Sequence, residues 1–126
     1  MRYSDFANVR LLPRKCQVNS RSDCDASVKL NNFKFRIPVV PANMASVVDA
    51  DLCYQLASRG YFYIMHRFQV DSLAFVRRCH ELKLVSSISV GVKDYDHQFV
   101  ASLKQHGLVP NFVTIDVAHA HSDRVR

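Results

Sequence analysis

Glycine and proline are scarce in this 126-residue chain, at three and four, which excludes collagen-like and low-complexity architectures. No apolar run approaches the roughly 18 residues of a membrane span. Met1-Arg2-Tyr3-Ser4-Asp5 has no apolar stretch, so no secretory signal is expected, and the expected setting is cytoplasmic, with reduced thiols. Cys16, Cys24, Cys53 and Cys79 lack the paired spacing of a zinc site. The chain also lacks a glycine-rich phosphate loop and a Gly-x-Ser-x-Gly nucleophile turn. What is present is ordinary globular composition, 48% hydrophobic and 22% charged, at a length for one domain.

The net charge of +6 is unevenly spread. Residues 1–40 carry eight Lys/Arg against three Asp, and residues 41–126 nine against eight. So basic an arm suits contact with a phosphate, in a nucleotide or a nucleic acid, or is simply a solvated surface. No aromatics interleave with its charges as a single-strand stacking platform requires.

From Ile37 the pattern becomes regular. Ile37–Val40, Tyr61–Met65, Leu84–Val90 and Phe112–Val117 read as four strands, apolar, β-branched or aromatic, and bounded by turn formers. Between them lie three amphipathic helices, one over Asp49–Ser58 stopped by Gly60, and two that Asp71 and Asp96 are placed to cap, ending near Lys83 and His106. Alternation of apolar strands and helices implies a parallel sheet covered by helices. Three and a half βα units fit an open sheet or the first half of a (β/α)8 barrel, with residues 1–36 an extended arm and 37–126 the half barrel, cut after its fourth strand; the barrel is preferred. Val39, Ile64, Ile88 and Ile115 are expected on its inward face.

In such folds function gathers at the carboxyl ends of the strands. That selects Ala42, Asn43 and Met44, then His66 and Arg67, then Gly91, Val92 and Lys93, then Asp116 with His119 and His121. The two histidines could ligate Zn²⁺ or Fe²⁺, but a loop pair bonding to backbone or substrate is preferred, and no metal site is expected.

Whole strings carry a more specific message. Leu11-Leu12-Pro13-Arg14 with Asn19-Ser20-Arg21-Ser22-Asp23-Cys24-Asp25, Pro38-Val39-Val40-Pro41-Ala42-Asn43-Met44, Tyr61–Phe68, Ile88–Lys93 and Thr114–Asp123 together resemble the IMP dehydrogenase/GMP reductase family. Ala-Asn-Met at 42–44 resembles the GMP reductase branch. The resemblance implies a (β/α)8 barrel, a homotetramer in the full enzyme, that reduces GMP to IMP and ammonia with NADPH, through a cysteine thiolate that attacks C2 of the purine. It implies that Met44, with Asn43, meets the purine base and that Ser20 and Arg21 reach a neighbouring subunit's cofactor. Arg67, Asp116, Val117 and Ala118 then border the cofactor. The nucleophile's motif matches none of the four cysteines, so no catalytic residue is expected here and the chain alone is expected to be inactive. Ala120 stands where the family usually has Gly, which would strain a left-handed backbone. An IMP dehydrogenase-like enzyme and a non-enzymatic basic module binding RNA remain as alternatives; neither nucleic-acid nor membrane binding is the expectation.

Overall fold

The computed structural model describes residues 5 and 7–125. Asp49 accepts the Leu52 N–H at 2.8 Å and opens α1 (Ala50–Ser58). Asp71 accepts the Ala74 N–H at 2.9 Å and opens α2 (Ser72–Glu81). Each carboxylate satisfies a donor that a helix start leaves unpaired. The third helix, α3 (Asp94–Gln105), begins earlier than expected. Asp96 is not its cap: its carboxylate turns back to accept the N–H groups of Gly91 and Lys93, each at 3.0 Å.

The arm holds a hairpin of β1 (Val28–Leu30) and β2 (Phe33–Phe35), antiparallel about an Asn31-Asn32 turn. Asn31 takes φ 51° there, a backbone conformation that asparagine tolerates. The remaining strands are β3 (Ser87–Val90) and β4 (Phe112–Ile115), parallel, with Ile88 opposite Val113 and Val90 opposite Ile115.

Of the four parallel strands expected, two form as such among the described residues. Tyr61–Met65 reaches the sheet through one bridge: the Met65 N–H donates to Ser87 O at 3.1 Å and Ser89 N–H to Met65 O at 3.0 Å. Ile37–Val40 joins no ladder. Pro38 and the adjoining Pro41 supply no N–H, which weakens any pairing. The parallel order is therefore the Met65 segment, β3, β4.

The core lies on the helix side of this sheet. Tyr63, Met65, Ile88 and Val90 pack there with Cys53 of α1, Phe75, Val76 and Cys79 of α2 and Leu103 of α3. Each large apolar side chain so buried contributes about 1.5–3 kcal/mol. This corrects the inward face: Ile88 belongs to the helix side, and Ile115, in register with Val90, shares that side. The opposite face carries a cluster of Phe33, Phe35, Phe62 and Phe112, with ring centroids 5.0–6.5 Å apart. The hairpin thus covers the amino-terminal end of the sheet and leaves the carboxyl end open.

Candidate functional site

An open cavity of about 610 Å³ lies at that carboxyl end. Asn43 and Met44 enter from the chain after Pro41, Arg67 and Phe68 from the chain after Met65, and Asp116, Val117 and Ala118 from the end of β4. Six of the eight residues selected from the sequence as substrate or cofactor contacts therefore line one cleft. Ala45, Ser46 and Phe68 complete it; Phe68 lay inside a matched string but was not singled out.

Pairing of Asp116 N–H to Val90 O at 2.8 Å carries the β4 end past the ladder and delivers the Asp116 side chain to the rim. Arg67 bridges the two sides of the cleft. Its Nε donates to Asp116 Oδ2 at 3.4 Å and its Nη2 to Asp116 O at 3.3 Å. The guanidinium stacks on the Phe68 ring at 4.7 Å. With the two side chains 27% and 33% exposed, the ion pair contributes at most about 1 kcal/mol. Asp116 Oδ1 has no partner among the described residues and is open to a donor. Met44 and Phe68 are 55% and 51% exposed, an apolar wall against which a planar ring could lie beside one carboxylate and one guanidinium.

Other selected residues lie elsewhere. Ser20 and Arg21 are exposed and do not line the cleft. They belong to a short turn, Arg21–Asp23, closed on itself by Ser20 Oγ accepting the Ser22 N–H and Asp23 accepting the Ser20 N–H. His66 is buried, its Nδ1 accepting the Phe68 N–H at 3.3 Å, and it faces a groove between α1 and α2. Lys93 sits over the Tyr95 ring. His119 and His121 are exposed beside one another, ring centroids 6.4 Å apart, outside the cleft. Ala120 has no positive φ, so the expected strain is absent.

No cysteine lines the cleft. Cys53 and Cys79 are fully buried in the core. Burial, the Asp49 carboxylate and Cys79 push the Cys53 thiol up to about 12. Burial also raises Cys79, against the hydrogen bond it shares with Tyr63. Both are structural thiols, poor nucleophiles at neutral pH. Cys16 and Cys24 are exposed on the arm.

Residues 4–126 match the IMP dehydrogenase / GMP reductase domain family. The chain belongs to that family. It is 53% identical over 126 residues to a GMP reductase of Variovorax paradoxus and 55% identical over 126 residues to one of Paracidovorax citrulli, in each case over all of this chain and 39% of the relative. A GMP reductase of Streptococcus equi is 52% identical over 122 residues, 96% of this chain and 37% of its own. The chain thus spans under two-fifths of the length of these relatives. Among solved structures, inosine 5′-monophosphate dehydrogenase from Legionella pneumophila superposes with a TM-score of 0.70 at 26% identity, over 95% of this chain and 37% of that one. The fold is accordingly part of the barrel of this family, though with fewer paired strands than the sequence suggested.

Proposed function

We propose that this chain is the front part of a GMP reductase, an oxidoreductase that converts GMP to IMP and ammonia with NADPH. The observation that carries the reading is the single cleft at the carboxyl end of the sheet, which gathers Asn43, Met44, Arg67, Asp116, Val117 and Ala118. Identity of about half to proteins named GMP reductase, over the whole chain, supports the branch.

Met44, exposed on the cleft wall, offers a polarizable apolar surface to the purine, and Asn43 beside it offers an amide. Asp116 and the backbone of Val117 and Ala118 suit the nicotinamide riboside: the open Oδ1 of Asp116 accepts from ribose hydroxyls while Oδ2 stays with Arg67. The residues present therefore fit NADPH, which supplies the hydride when bound. Arg67 keeps positive charge at the rim and orients Asp116 through its two contacts. Its planar fork is what allows two contacts to Asp116.

Ser20 and Arg21 lie outside the cleft of their own chain, exposed and on a basic arm, which supports a role at the cofactor of a neighbouring subunit in a homotetramer. The covalent step needs a thiolate, and no cysteine here stands at the cleft, so the nucleophile comes from outside these 126 residues.

The test is GMP-dependent loss of NADPH absorbance. Full-length protein containing this segment should show it, and the 126-residue chain alone should fall short by several orders of magnitude, as for loss of a nucleophile. Turnover of IMP with an oxidised nicotinamide nucleotide, and none of GMP, would assign the dehydrogenase direction instead. Activity of the short chain near that of the full-length protein would overturn the account of the missing nucleophile.

A further inference from the structure

The surroundings of Asp96 exceed what a helix start requires. The residue is 8% exposed. One carboxylate oxygen accepts the Gly91 N–H and the other the Lys93 N–H, each at 3.0 Å, which fastens the turn between β3 and α3. Among the described residues it makes no ion pair, and a buried carboxylate without a cation is costly.

Gly91 explains what faces it. A Cβ built there would lie 2.6 Å from Asp96 Oδ2 and 3.2 Å from Arg67 Nη1. The Asp96 carboxylate and the Arg67 guanidinium therefore both border the space that a side chain at Gly91 would fill. The same two side chains border a second cavity of about 260 Å³ behind the cleft.

Arg67 needs such a seat. Its contacts to Asp116, at 3.3 and 3.4 Å, are longer than the roughly 2.7–2.9 Å of strong charge-assisted bonds, and ordering a flexible arginine costs rotamer freedom. Phe68 supports one face of the guanidinium. Gly91 lets Nη1 approach the backbone, and the buried charge of Asp96 attracts it from beyond.

We infer that Asp96 and Gly91 are positioning residues that fix Arg67, and through it Asp116, on the cofactor side of the cleft. This rests on the reading of Arg67 as a cofactor-wall residue. Neither residue touches the cleft itself; each acts through Arg67.

The experiment is equilibrium binding of NADPH and of GMP, separately, to the full-length protein that contains this segment, for D96N, G91A, R67A and the double variant D96N/R67A, each with its thermal unfolding midpoint. D96N keeps the shape but removes the charge and one acceptor. It should weaken NADPH about tenfold, one charge-assisted interaction's worth, and leave GMP within about twofold. G91A, which thrusts a methyl against both partners, should do the same. In the R67A background D96N should change NADPH binding no further, because the two act on one interaction. A purely structural role for Asp96 lowers the midpoint but gives additive effects, or weakens both ligands equally, and either result overturns the inference while sparing the site. An R67A variant that binds NADPH normally overturns the site reading for Arg67 and the inference with it.

Discussion

β3 and β4 are paired residue for residue and run the same way, yet their burial differs sharply. All four residues of β3 are buried, Ile88 at 1% and Val90 at 6% exposure. Their partners on β4, Val113 and Ile115, are 45% and 43% exposed. Composition would have ranked them the other way: β3 reads Ser-Ile-Ser-Val and β4 reads Phe-Val-Thr-Ile. The difference is in what covers them. The Met65 segment, α2 and α3 enclose β3, while the helix side of β4 borders an apolar groove formed with Val100, Leu103, Leu108, Val109 and Pro110. Burial is a property of neighbours before it is a property of residues. The cleft follows the same rule, since Asp116 is accessible there because the end of β4 stays open.

The sharpest break of this comparison is a pair of truncations read by urea denaturation. Ile88→Ala should cost about 2–5 kcal/mol, the usual range for deleting a buried aliphatic side chain. Ile115→Ala, in the 126-residue chain, should cost on the order of 1 kcal/mol or less. Equal losses would mean that the outer face of β4 is covered in solution.

Such a cover would come from another copy, which sedimentation velocity on the 126-residue chain can show. The exposed Val113 and Ile115 and the adjoining groove form the kind of apolar patch that marks an interface, and β4 has a free edge. Self-association should grow from low to high micromolar concentration. A single species of about 14.4 kDa across that range, the mass of one chain, would show that β4 needs no partner.

A smaller effect separates buried thiols from exposed ones. Burial raises the Cys53 thiol from about 9 to about 12 and pushes Cys79 and the Tyr63 hydroxyl upward too. The folded state therefore holds protons that the unfolded chain gives up. The stability these groups contribute is complete below pH 9 and is lost as pH rises toward 12. The urea midpoint should fall between about pH 8 and about pH 10.5, and Cys53→Ala should flatten the fall. With a thiol reagent near neutrality, Cys16 and Cys24 should react at once and Cys53 and Cys79 only on unfolding. The smallest effect is expected on the arm, where Arg21→Ala should alter stability by less than about 0.5 kcal/mol, its contacts being local and exposed.

Much of this was legible in the sequence, for reasons that can be named. α1 announced itself through its apolar face and the Gly60 stop and α2 through the Asp71 cap, because these are local signals, whereas Asp49 as the cap of α1 emerged only in the structure. α3 was shifted because Asp96 serves Gly91, a contact five residues back that no cap rule anticipates. The first two strands were over-read because apolar runs were taken for paired strands, whereas Pro38 and Pro41 withhold donors and Tyr61–Met65 keeps only one bridge. The inward face was mis-assigned by taking Ile88 for the barrel interior, when the residues beside it, Ser87 and Ser89, face that way. The cleft was the more legible part, since strand ends converge wherever strands are parallel; the family strings selected six of the residues that line it. Asp96 and its contact with Gly91 were not legible as a support, since both depend on the separation of side chains in space.

In the proposed division of the cleft, the Asp116 side serves the nicotinamide cofactor and the Met44 side the purine nucleotide. The most direct test is equilibrium binding of NADPH and of GMP to the full-length protein carrying Asp116→Ala. Loss of charge-assisted hydrogen bonds to ribose should cost about 1.5–3 kcal/mol, roughly 10- to 100-fold in the NADPH dissociation constant, with GMP nearly unchanged. Equal weakening of both ligands, or of GMP alone, would contradict that division of the cleft.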